Sequence, residues 1–274
     1  MIRLLAFLMA IGFPAIATAE RLPDGGIAEA MGLKAWYEDP TDRYAHAVLG
    51  DALEAATLAV QTGDTVLRVT LPRNQVFEDI TPRIVDADGD GTPEVLAIKA
   101  YDDAGATITL YGLRDGALRD VAEAPAIGTP NRWLNPAGVA DYDGDGAPEI
   151  AVIRTPHIGG ILILYRWDGV SRDIVELRRT RGYSTHAIGS RALGLALTED
   201  WNGDDVPDLL LPNQRRDTLI AVSMAGGGFE EIDRYKMRRE ITGDLELLGN
   251  FVRVPLEGGL ARTVTRPYPD GKAK

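Results

Sequence analysis

One nine-residue pattern recurs three times along the chain: Asp86-Ala-Asp-Gly-Asp-Gly-Thr-Pro-Glu94, Asp141-Tyr-Asp-Gly-Asp-Gly-Ala-Pro-Glu149 and Asp200-Trp-Asn-Gly-Asp-Asp-Val-Pro-Asp208. The copies start 55 and 59 residues apart. That spacing exceeds the roughly 34 residues of helical-pair repeats and matches one larger supersecondary unit. A chain built this way buries its core by stacking neighbouring units, so the repeat constrains the fold before any single strand is read.

Within each copy, side-chain oxygens stand at positions 1, 3, 5 and 9: Asp86, Asp88, Asp90 and Glu94; Asp141, Asp143, Asp145 and Glu149; Asp200, Asn202, Asp204 and Asp208. A hard divalent cation takes about six to eight oxygens, and a tightly curled loop aims alternate side chains at one point. The backbone carbonyls at position 7, from Thr92, Ala147 and Val206, are expected to add a fifth protein ligand. The pattern therefore points to Ca²⁺. An EF-hand would need a bidentate Glu at position 12, where this chain has Ala97, Val152 and Leu211 inside apolar runs. Asp-Gly clusters are also ordinary turn formers. Three copies, each followed by Pro, an acid and an apolar run, favour the metal. The third copy is expected to be weakest, because Asn202 is neutral and Asp205 replaces the position-6 glycine, where a left-handed backbone suits Gly, Asn or Asp.

Each loop sits between short apolar segments: 83–86, 137–140 and 193–197 before it, and 95–100, 150–154 and 209–211 after it. Further strands are expected at 107–111, 161–165 and 219–223, with weaker ones near Leu118, Ile174 and Phe229. That makes four strands per repeat. Several are apolar on consecutive residues, as in sheets covered on both faces. Degenerate copies without metal ligands are read at 46–60 and 243–254, and five units would take about 51 residues each of the chain after residue 19. The expected fold is all-β, a β-propeller of five four-stranded blades spanning 20–265 with calcium loops in the blades. A strand from the segment 34–46 is expected to pair with the last unit, and 266–274 to form a disordered tail.

The loops resemble the FG-GAP or VCBS repeats of integrin-type β-propellers over roughly residues 45–255. The resemblance implies a calcium-binding propeller and a family of adhesion modules, lectin-like binders, lyases and structural caps. Integrin-type propellers have seven blades, more than this chain length holds at the observed spacing.

Other features limit function. Met1 to Ala19 has one basic residue, Arg3, an apolar run and the ending Ala17-Thr18-Ala19, which reads as a cleaved secretory signal and a periplasmic or secreted protein. No later apolar run is long enough to span a membrane. With 41 acidic against 29 basic residues and a net charge of −12, a nucleic-acid partner is not expected. The absence of cysteine excludes disulfides, thiolate zinc sites and a cysteine nucleophile. No nucleophile-elbow, zincin, phosphate-loop or dinucleotide motif occurs. The leading expectation is a non-catalytic calcium-stabilised module that binds an anionic or carbohydrate ligand or a protein. The alternatives are a polysaccharide-active lyase or glycosidase and a structural subunit of an envelope assembly. The ligand face is expected opposite the calcium loops, where the upstream segments carry Arg43, His46, Arg83, Arg132, Trp133, Asn135, His186 and Arg191. Trp133 is the favoured sugar platform, set against the commoner role of tryptophan as core.

Overall fold

The computed structural model describes residues 19–50 and 52–267. Residues 1–18, nearly all of the segment read as a secretory signal, and residues 268–274 of the expected tail lie outside the described residues.

Twenty strands and no helix make up the described chain. The first unit is the meander β1 (Ala28–Ala30), β2 (Leu33–Thr41), β3 (Glu54–Thr62) and β4 (Thr65–Thr70). The second has an interrupted first strand, β5 (Gln75–Phe77) and β6 (Arg83–Val85), in line along one edge of β7 (Glu94–Tyr101), then β8 (Gly105–Arg114) and β9 (Ala117–Glu123). Because β5 also bonds β3 through Ala55 and Phe77, the first two units join into one nine-stranded sheet. Two separate four-stranded antiparallel sheets follow. One holds β10 (Leu134–Ala140), β11 (Glu149–Arg154), β12 (Ile161–Arg166) and β13 (Val175–Arg181); the other holds β14 (Leu197–Glu199), β15 (Asp208–Pro212), β16 (Thr218–Ser223) and β17 (Glu230–Lys236). The last sheet has three strands, β18 (Glu246–Leu248), β19 (Phe251–Leu256) and β20 (Leu260–Thr265).

Consecutive side chains of a strand point to opposite faces, and here both faces are apolar. On β7, Val95 and Ala97 enter a core shared with the first unit, while Leu96 and Ile98 enter one shared with the third. On β12, Ile161 and Ile163 face the second unit and Leu162 and Leu164 the fourth. On β16, Ile220 and Val222 face the third unit while Leu219 and Ala221 meet Val252 and Val254 of the last sheet. The units therefore stack face to face in chain order. This accounts for the unbroken apolar runs.

Two expectations are corrected. The segment 34–46 does not pair with the last sheet, because its strand β2 is flanked by β1 and β3 of its own unit. Residues 46–47 are irregular and 48–49 form a turn, and the strand that precedes β3 is β2. Among the described residues, no helix is long and apolar enough to cross a membrane.

Candidate metal centre

The three loops share one hydrogen-bond scheme, set by their spacing. The position-1 carboxylate accepts the N–H groups of positions 4 and 6: Gly89 and Gly91 donate to Asp86 at 2.9 and 3.0 Å, Gly144 and Gly146 to Asp141 at 2.8 and 2.9 Å, and Gly203 and Asp205 to Asp200 at 2.7 and 3.1 Å. The position-5 carboxylate accepts from position 7, with Thr92, Ala147 and Val206 as donors. The position-9 acid accepts from position 2, with Ala87, Tyr142 and Trp201 as donors at 3.2, 2.8 and 2.9 Å. Positions 4 and 6 have left-handed backbone throughout, with Asp205 at φ 66° where the other loops use Gly91 and Gly146.

The loops lie side by side. A Cβ on Gly89 would stand 3.2 Å from Pro148 of the second loop, and one on Gly144 would stand 3.2 Å from Val206 of the third.

Carboxylate oxygens of Asp86, Asp88 and Asp90 lie within 4.8 Å of one another, as do those of Asp141, Asp143 and Glu149. Glu94, Glu149 and Asp208 are fully buried. Burial pushes Glu94 up to about 7 and Asp208 up to about 6, the response of a carboxylate taken from water. One oxygen of Asp208 bonds the Trp201 and Asn202 N–H groups, while Oδ1 has no partner in good hydrogen-bond geometry among the described residues, although the Ser223 side chain lies beside the carboxylate and favours its charged form. Buried polar atoms without partners are rare and costly. A hard cation at the loop centre would satisfy that oxygen, and the oxygen-only donor set suits calcium. The first loop fits as well, with only the Arg114 guanidinium reaching Glu94, at 3.5 Å.

In the second loop the oxygens of positions 3, 5, 7 and 9 are already met by a cation of the chain itself, Arg166. The loop sequences do not show this residue. It comes from the cross-strand register: Ile150 pairs with Tyr165, which sets Arg166 across from Glu149.

Some of the expected ligand-face residues meet one another, and several are buried. Arg83 donates to Asp79 at 2.6 Å and to Asn135 at 3.5 Å, and Asn135 donates to the Leu193 carbonyl at 2.9 Å. Trp133 is only 2% exposed. Its indole N–H bonds the Glu78 carbonyl at 2.9 Å, and its ring lies against His157 and His186. Trp133, Asn135 and His186 therefore present no open surface, and the sugar-platform reading of Trp133 gives way to core packing. Arg43 caps the carbonyls of Leu71 and Gln75, Arg132 bonds the Asn131 carbonyl, and His46 contacts Glu78. Arg83 and Arg191 remain at a cavity of about 410 Å³, also lined by Pro136, Val139, Leu193 and Asp244. His157, which the sequence reading passed over, donates or accepts at 2.8 Å with His186. Burial lowers both imidazoles to about 4.

These sheets and loops define an all-β repeat protein with acidic residue clusters that could hold a metal ion. The repeat has a family: residues 86–152 match the model of the FG-GAP-like repeat. No curated protein matches the chain. Among solved structures, the crystal structure of Saccharomyces cerevisiae Sqt1 is similar at 10% identity with a TM-score of 0.47, over 82% of this chain and 61% of that one.

Proposed function

We propose that the protein is a secreted or periplasmic, non-catalytic binding module, its five units the blades of an open β-propeller, stabilised by calcium, whose first and last units share no apolar core among the described residues. The observation that carries this reading is the hydrogen-bond scheme repeated in all three loops, each closing over a fully buried position-9 acid. Calcium supplies charge neutralisation and oxygen coordination. The chain supplies Asp86, Asp88, Asp90 and Glu94 in the first loop, Asp200, Asn202, Asp204 and Asp208 in the third, and the position-7 carbonyls. Each bound ion ties the end of one strand to the start of the next, so binding energy becomes folding energy. At about 100 times the dissociation constant, one site adds about 2.7 kcal/mol. A thermal melt with and without chelator tests the reading, and an unchanged midpoint together with no heat of calcium binding by calorimetry would sink it.

The partner is an anionic ligand, a carbohydrate acid or an acidic protein segment, taken at the cavity that Arg83 and Arg191 line. A guanidinium suits a carboxylate through paired, charge-assisted hydrogen bonds. Screening acidic oligosaccharides and carboxylates against wild type and Arg191→Ala tests this. An affinity indifferent to Arg191 would move the site elsewhere. Export through the segment 1–19 is tested by N-terminal sequencing of the protein recovered from the culture medium or periplasm, with Glu20 expected first.

A further inference from the structure

The three loops are alike in sequence, but the residue across the sheet from the position-9 acid differs. Val95 pairs with Tyr111, Ile150 with Tyr165 and Leu209 with Val222, so that residue is Gly112 opposite Glu94, Arg166 opposite Glu149 and Ser223 opposite Asp208. In the third unit the small Ser223 lies beside the acid, and in the first the space over Gly112 is taken by the Arg114 guanidinium, which touches Glu94 alone, at 3.5 Å. In the second, the Arg166 guanidinium reaches into the loop centre.

Its contacts follow the ligand list of a calcium loop. Nη1 donates to Asp145 Oδ2 at 2.7 Å. Nη2 meets Asp143 Oδ1 at 3.3 Å, Asp145 Oδ1 at 3.2 Å, the Ala147 carbonyl at 3.5 Å and Glu149 Oε1. Those are positions 3, 5, 7 and 9. Arg178, from β13, adds a bond from Nη2 to Asp143 Oδ2 at 2.9 Å. Two guanidinium groups bring the charge of one divalent ion to three of the loop's four acids, Asp143, Asp145 and Glu149. A guanidinium stays charged and spreads its donors over a plane, so it can satisfy several carboxylate oxygens at once. Glu149, fully buried, is thereby partnered where Asp208 Oδ1 in the third loop has no partner in good hydrogen-bond geometry among the described residues.

We propose that Arg166 is the resident cation of the second loop: that loop holds its shape without metal, and calcium enters it only by displacing the guanidinium. The proposal rests on reading the loops as calcium sites. It makes the most acid-rich loops unequal, with the first filled by metal and the second by the chain itself.

The experiment counts bound calcium by equilibrium dialysis and elemental analysis of the full mature chain at about 0.1 mM free calcium, a level between sensor and extracellular-module affinities. Wild type is expected to hold two ions. Arg166→Ser, which installs the residue of the third unit, is expected to hold three, with the added site at least tenfold tighter than any third site of wild type. Asp143→Ala in the Arg166→Ser background should return the count to two, which assigns the gained ion to this loop. Arg166→Lys keeps the charge and most of the stem, so it guards against a folding defect in the serine variant. A single ammonium cannot bridge four oxygens, and an intermediate affinity is expected. Three ions in wild type with no gain on substitution, or two in both wild type and Arg166→Ser, overturns the proposal while the calcium reading of the other loops stands. No ions in any variant overturns both.

Discussion

At the scale of single residues, backbone conformation and proton affinity make separable demands. Gly91 has φ 85° and nothing within 4 Å of where a Cβ would sit. Gly91→Ala therefore tests conformation alone and should cost about 1–2 kcal/mol in a urea titration run in chelator. Asp205, at φ 66° in the matching place, should gain stability as Asp205→Gly, by about 0.5–1 kcal/mol after allowing for the freer unfolded chain. A loss there would mean that the Asp205 side chain contributes something its backbone contacts do not show. Protonation gives a second test. His157 and His186, lowered by burial to about 4, stay neutral in the fold while the unfolded imidazoles titrate near 6.5. The unfolded state binds protons first as pH falls, so this contribution is whole above about 6.5 and is lost toward 4. Glu94 and Asp208, raised by burial, act in the opposite sense over part of the same range. The measurement is therefore a difference. Subtracting the stability-versus-pH curve of His157→Gln from that of wild type should leave a term that declines between pH 6.5 and 4. A flat difference would show that His157 is not held neutral.

At the scale of the loop and its strands, the same substitution should behave differently in different copies. Asp88→Ala and Asp204→Ala remove calcium ligands, so each should lower the melting temperature in calcium and change little in chelator. Asp143→Ala removes the partner of Arg166 and Arg178, so it should lower the midpoint in both conditions. Equal calcium dependence for all three would contradict the unequal filling of the loops. Most of this element was legible beforehand. The spacing of acids and glycines located the loops, and the apolar runs located the strands on either side, because both are local properties of the chain. The interrupted first strand of the second unit was not, since the break at Glu78 and Asp79 answers to contacts with His46 and Tyr37 that come from distant segments. Arg166 was hidden for the same reason, although aligning 161–166 with 107–112 and 218–223 exposes it as the one long cation in that column. Of the ligand-face residues, Arg83 and Asn135 meet each other, and Trp133 meets His186. Their burial was unreadable, because a polar side chain in a loop looks alike in sequence whether it meets solvent or another loop.

At the scale of the whole molecule, stacking predicts how core substitutions distribute. Ile163 and Leu164 are neighbours on β12, both fully buried, in different cores. Ile163→Ala and Leu164→Ala should each cost about 2–5 kcal/mol by denaturant titration; a sheet covered on one face would show the loss at only one of the two. The last sheet is such a case. Val252 and Val254 are buried, while Phe251, which precedes them on the alternate register of the strand, is 46% exposed, so Val254→Ala should destabilise and Phe251→Ser should not. No strand pairing joins this sheet to the first unit among the described residues. The consequence is a gradient of local opening. Stability in a linear stack is a sum of nearest-neighbour couplings, and a terminal sheet with one neighbour and three strands is held by the fewest of them. Amide protons of β19 and β20 should therefore exchange with solvent well before those of β11 and β12, and the molecule should come apart from its carboxyl-terminal end like a roll of coins losing the outermost first.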